Sequence, residues 1–274
     1  MLFIFPQKKI LLCAAVVSAA LLLAACGADD DAADAAAKNE PIDALYSKAL
    51  SSFSAHHYKD AIDEFEEVER QYPYSEWAGR AELMAAYSGF LGGQFDDAVA
   101  ILDRYTKLHP TDTNTPYAYY LKAMCYYTQI VDVGRDQKTT ELARDALKDI
   151  IARYPDTSYA QDAKLKLDLV DDHLAGKEMN VGRYYQRHQE YIAAINRFKF
   201  VVEQYQTTSH APEALHRLVE CYLRLGVAEE AKKYAAVLGY NYPDSIWYQY
   251  SYEMIKGNLS PEEQQSFLDR HFKR

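Results

Sequence analysis

The sequence predicts an all-α fold, a tetratricopeptide-repeat solenoid of about five helix-turn-helix repeats followed by a C-terminal helix. Three observations predict it: one motif recurs five times, its apolar positions follow helical spacing, and a proline closes four of the five copies. The copies are "YKDAIDEFEEVERQYPYS" (58–75), "FDDAVAILDRYTKLHPTD" (95–112), "TELARDALKDIIARYPDTS" (140–158), "YIAAINRFKFVVEQYQTTS" (191–209) and "AEEAKKYAAVLGYNYPDS" (228–245). In register, Ala61, Ala98, Ala143, Ala194 and Ala231 align. Four residues on stand Phe65, Leu102, Leu147, Phe198 and Ala235, and three further Val68, Tyr105, Ile150, Val201 and Leu238. Spacing of i, i+4, i+7 puts these on one helical face, where the small alanine lets a neighbouring helix approach. Pro73, Pro110, Pro155 and Pro243 stand twelve residues beyond their alanines, with Gln206 the exception, and a proline ends a helix at or just before it.

The first element is a signal segment, residues 1–25. Lys8 and Lys9 precede an uncharged apolar run, 10–23, which is too short to span a bilayer but matches a secretory h-region. The run ends at Leu23-Ala24-Ala25-Cys26, which resembles a bacterial lipobox. Cys26 is therefore expected to carry a diacylglycerol and an N-acyl chain, several chains on one residue being an essentially permanent anchor. No other cofactor is implied. Gly27, where an aspartate would favour inner-membrane retention, suggests the outer membrane. Residues 26–40 read as a flexible leash, because Gly, Ala, Asp, Lys and Asn bury too little apolar surface to order a chain.

Residues 41–255 carry the repeats. Ala49, Ala86, Ala123 and Gly182 supply a small residue in the preceding helix of each repeat, while Val219 departs from that pattern. The aligned alanines are 37, 45, 51 and 37 residues apart, all above the ~34 of the ideal repeat. Part of the excess is "VDVGRDQKT" (131–139), a charged loop. The rest lies along 163–185, which has little turn chemistry and predicts one long helix bridging repeats three and four. Residues 256–274 form a tail in which Ser260-Pro261-Glu262-Glu263 predicts an N-capped short helix reaching about Phe272.

The composition narrows the function. Net charge is −10, and becomes −12 once the two signal-segment lysines are gone, so nucleic acid is not an expected partner. Cys125 and Cys221 are expected to be separate and buried rather than bridged. His56-His57 suits a solvated turn, and His188, His210 and His216 lack metalloprotease spacing; no metal site or catalytic residue is predicted. Stacked helix pairs instead offer long surfaces for extended partners, and the 24 tyrosines suit interfaces. The recurrent Tyr72, Tyr154, Tyr205 and Tyr242 could equally close helix ends.

With "GRDQ" (134–137), "ARYPDTSYAQDAKLKL" (152–167), "VGRYYQRHQEYIAAINRF" (181–198) and "LGYNYPDSIWY" (238–248), the chain resembles the BamD family of outer-membrane protein assembly factors. The resemblance implies a lipoprotein on the periplasmic face of the outer membrane. Its partners would be a BamA-like insertase bearing POTRA domains, unfolded outer-membrane proteins and other lipoproteins of the complex. It also assigns residues. Tyr72 would contact the C-terminal signal of a substrate, and Arg197, with its neighbour Asn196, would reach a POTRA domain. Ile192, Ile195, Phe198 and Val202 are expected to form the buried stripe of that helix, leaving Asn196, Arg197 and Lys199 outside it. A pairing of Arg197 with Glu203 or Glu190 is the structural alternative. Two other functions are a lipoprotein organising peptidoglycan synthesis or outer-membrane constriction, disfavoured by the lack of heptads, and a wall hydrolase, disfavoured by the lack of a convergent acid.

Overall fold

The computed structural model describes residues 40–257. The signal segment, Cys26, the leash up to residue 39 and the helix predicted from Ser260 lie outside the described residues. These divide into two compact units, up to Ser88 and from Gly89 onward, and contain eleven helices and no strand.

In the first unit α1 (Ile42–Ser54) packs on α2 (Tyr58–Gln71). The contact is built on the predicted small residues: Ala49 and Ala61 are fully buried, beside Phe65 and Val68. Tyr46 lies with its ring 5.4 Å from Phe65 and 4.8 Å from Trp77, which stands in α3 (Glu76–Leu91), the helix that the unit boundary divides. The second unit continues with α4 (Phe95–Leu108), α5 (Thr115–Tyr127), α6 (Lys138–Arg153), α7 (Ser158–Arg187), α8 (Tyr191–Gln204), α9 (Ala211–Arg224), α10 (Ala228–Asn241) and α11 (Ile246–Ile255). From α4 to α10 each helix packs on the next, and α11 packs on both α9 and α10. All five aligned alanines are fully buried, as are Phe65, Leu102, Leu147 and Phe198 four residues on.

Two kinds of turn join the helices, and each has a local cause. Within repeats one, two, four and five the residue five before the aligned alanine adopts positive φ: His56, Gly93, Gln189 and Gly226. There the amides of His57, Gln94, Glu190 and Val227 donate to the carbonyls of Ser52, Gly89, Tyr185 and Tyr222, a six-to-one bond that satisfies helix-end carbonyls. The predicted solvated turn at His56-His57 is this motif. Between repeats, α2, α4, α6, α8 and α10 each stop two residues before the proline position. Tyr72, His109, Tyr154, Tyr205 and Tyr242 cap them, and Ser75, Asp112, Thr157, Thr208 and Ser245 return an amide to those capping residues. This bond explains why α8 ends on schedule with Gln206 in place of proline.

The long helix is α7, 30 residues from Ser158 to Arg187. A Cβ on its Gly182 would lie 2.5 Å from the Phe198 ring, so the ring packs directly on bare backbone. Glycine inside a helix costs about 1 kcal/mol relative to alanine, whereas burying a phenylalanine contributes about 1.5–3 kcal/mol, so the exchange favours glycine. The loop before α6 is shorter than expected, since Lys138 and Thr139 are already helical, and Gln137 is buried. Its amide donates to the carbonyls of Asp132 and Arg135, while Lys177 of α7 reaches those of Gly134 and Arg135. α11 was not separately legible in the sequence; only its Ser251 is fully buried. Cys125 and Cys221 are both free and buried, as expected, and burial pushes each thiol up to about 12.

Helix α9 buries charge. Arg217 donates to Glu213 and Glu220, Arg183 of α7 donates to both carboxylate oxygens of Glu213 at 2.9 Å, and Gln186 of α7 donates to Glu220. His216 hydrogen-bonds Ser251 of α11 at 2.9 Å and lies 5.2 Å from the Trp247 ring. Burial lowers the His216 pKa to about 4, against the pull of Glu220, so the ring is neutral at pH 7. An unfolded histidine takes its proton near pH 6.5. The contribution of His216 is therefore complete above pH 6.5 and is lost as pH falls towards 4, a change on the order of 3 kcal/mol. Urea unfolding at pH 7.5 and 4.5 should show wild type losing more stability on acidification than His216→Gln; equal losses would mean that the ring titrates normally.

Candidate functional site

No helix among the described residues is long and apolar enough to cross a membrane, and no group of three or more metal-ligating side chains converges there. A candidate interaction surface lies on the outer face of α8. Its buried stripe is Ala194, Ile195, Phe198 and Val201. Ile192, expected inside, is 70% exposed. At 100° per residue it stands about 130° from the centre of the stripe, and the core is completed by Ala194 and Val201 instead. The solvent side of α8 thus carries Ile192, Asn196 and Phe200 one turn apart, with Arg197 beside them. Phe200 is 43% exposed and was not singled out in the sequence. Its place two residues after the buried Phe198, turned away from the stripe, was the available signal.

Arg197 is held from behind. Its side chain is 46% exposed, and Nη1 donates to Oε2 of Glu178 on α7 at 3.1 Å. Neither Glu203 nor Glu190 is the intramolecular partner; the preceding helix supplies it. A guanidinium has five donors in a fixed fork, so one bond to Glu178 orients the group and leaves others for a second carboxylate. Lys199, also expected off the stripe, turns to α9, its ammonium 5.9 Å from the Tyr222 ring. A hydrogen bond with Tyr222 raises its pKa. Tyr222 in turn stacks on Tyr234 of α10 at 5.6 Å.

Tyr72 belongs to the first unit. It caps α2, and its hydroxyl donates to the carbonyl of Glu40 at 2.7 Å, tying the helix end to the chain just before α1. Tyr242 repeats the device on Gln206 at 3.0 Å. Helix closure is thus a property of Tyr72 whatever else it does. The neighbouring Tyr74, beyond Pro73, is fully exposed, a feature that no periodicity announced. Asn196 and Arg197 share one surface, and Tyr72 lies in the other unit.

The family model described as YfiO, outer membrane lipoprotein, matches residues 38–238. An outer membrane protein assembly factor BamD of Caulobacter vibrioides is 50% identical over 221 residues, covering 81% of this chain and 72% of that protein. The BamD of Rickettsia prowazekii is 50% identical over 216 residues, covering 79% and 86%. That of a Neisseria meningitidis strain is 31% identical over 222 residues, covering 77% and 83%. The span matched by the family model takes in α1 to α9 and most of α10, including α2 with its capping Tyr72 and α8 with Arg197, and on that identity and coverage the chain belongs to the BamD family of outer membrane protein assembly factors.

Proposed function

We propose that this chain is a non-catalytic, lipid-anchored scaffold on the periplasmic face of the outer membrane, which docks the POTRA region of a BamA-like insertase through α8 and receives the C-terminal signal of unfolded outer-membrane proteins through its first repeats. The observation that carries the proposal is the outward face of α8, where Ile192, Asn196 and Phe200 frame an arginine whose orientation Glu178 fixes. Exposed apolar residues around a partly free guanidinium suit a partner surface that presents a carboxylate within an apolar rim. Family membership supports the assembly role. Cys26 would carry the lipid and the leash would let the repeats stand clear of the membrane.

Arg197→Glu should lower affinity for the isolated POTRA domain by about 2–5 kcal/mol in titration calorimetry, the range for a disrupted interfacial charge pair. The melting temperature should shift little, since an exposed ion pair contributes only about 0.2–1 kcal/mol. Glu178→Gln, which removes only the internal partner, should bind nearly as wild type. If Arg197→Glu and Glu178→Gln lower stability alike and leave affinity intact, Arg197 is merely structural.

For Tyr72 the hydroxyl and the ring separate. Tyr72→Phe keeps the ring and should bind a barrel protein's C-terminal peptide like wild type, whereas Tyr72→Ala should weaken it by about 1–3 kcal/mol. A Tyr72→Ala chain with reduced helicity and unchanged peptide affinity would leave helix closure as the residue's whole role.

Cys26→Ala should abolish incorporation of labelled palmitate and release the chain from outer membranes in cells lacking the insertase interaction. Continued flotation of that variant with the membrane fraction would rule out the lipid anchor.

A further inference from the structure

Between α5 and α6 lies a cavity of about 130 Å³, lined on one side by Tyr119, Lys122 and Tyr126 and on the other by Leu142, Asp145 and Asp149. The spacing of each set, three to four residues, keeps it on one helix face. The groove has two ends of similar chemistry. At the first, the chain's own Arg153 lies 5.3 Å above the Tyr119 ring, with Nε 3.8 Å from Asp149. At the second, around Tyr126, the lining holds no arginine, and Asp145, one turn before Asp149, has no hydrogen-bond or ion-pair partner among the described residues. Lys122 does not neutralise it, because its ammonium donates to Asp103 of α4 at 2.5 Å. The Tyr126 hydroxyl pKa is raised, chiefly by burial; Lys122 opposes that rise, and Asp103 and Asp96 add to it. The lining itself holds one basic group, Lys122, and two carboxylates, Asp145 and Asp149.

We propose that the Tyr126 end of this groove is a docking site for an arginine side chain presented by a protein partner, its guanidinium stacked on Tyr126 and paired with Asp145. The chemistry repeats the arrangement that Arg153 makes with Tyr119 and Asp149. Arginine fits better than lysine, since its planar group stacks on an aromatic face while offering parallel donors to a carboxylate. Leu142, part-exposed at the rim, can cover the alkyl stem. The site is separate from the α8 face, and the two stand or fall independently.

The test uses the detergent-solubilised full chain with 3-fluorotyrosine, the resonances of Tyr119 and Tyr126 being assigned by Tyr119→Phe and Tyr126→Phe. Acetyl-arginine amide should move the Tyr126 resonance saturably, and its neutral counterpart acetyl-citrulline amide should not. Asp145→Asn, at an exposed position, should leave the circular dichroism unchanged and weaken the arginine response about three- to fivefold, the upper part of the range of an exposed ion pair. The proposal is overturned by an equal response to citrulline, by an undiminished response in Asp145→Asn, or by a response confined to Tyr119, which would mean exchange with Arg153 alone.

Discussion

The constraint on which the rest of the structure depends is the small size of the residues buried where the two helices of a repeat meet. Ala49 and Ala61 in the first repeat and Gly182 and Ala194 in the fourth are all buried, and in the second a Cβ on Gly89 would lie 3.2 Å from that of Ala98. Because these positions project almost nothing, the two backbones approach and the large residue four places on packs against the facing helix. Phe198 on Gly182 is the limit, a ring set on backbone with no room for a methyl group. A larger residue at either place would push the pair apart, and its neighbours are packed too densely to follow.

Close helices leave their ends to be satisfied locally. The positive-φ residue within a repeat and the capping tyrosine or histidine between repeats do so with backbone bonds that recur at fixed offsets from the alanine. Where the repeat is stretched, in the third copy, that local solution is missing and side chains replace it: Gln137 and Lys177 together bind the carbonyls of the 132–135 loop. The strap explains how a charged, glycine-containing segment is held against α7.

With the apolar faces turned inward, the residues left outside define what the chain can bind. On α8 the outward set is Ile192, Asn196, Arg197 and Phe200, and in the groove between α5 and α6 it is tyrosine and aspartate. One surface offers a cation within apolar side chains; the other offers the unpaired Asp145 beside tyrosine rings. Buried charge has a different part. On α9 the buried Glu213, Arg217 and Glu220 each have a partner of opposite sign within the unit, as they must when desolvation of a lone charge would be prohibitive.

The sequence by itself determined the repeat register, the helix stops and the identity of the buried alanines and their large companions, because each is written in a spacing of a few residues along one helix. It also showed the long helix α7, for the simple reason that nothing in 163–185 breaks a helix. Tertiary structure alone decided the rest. Ile192 is exposed, Arg197 leans on Glu178 nineteen positions earlier, and His216 meets Ser251 thirty-five positions later. Periodicity says that a helix has an apolar side but not which neighbour covers how much of it, and a charged residue can find several acids within reach of its own helix. Only the packing of one helix on the next fixes which faces are closed and which carboxylate lies within 3 Å or so of a given guanidinium.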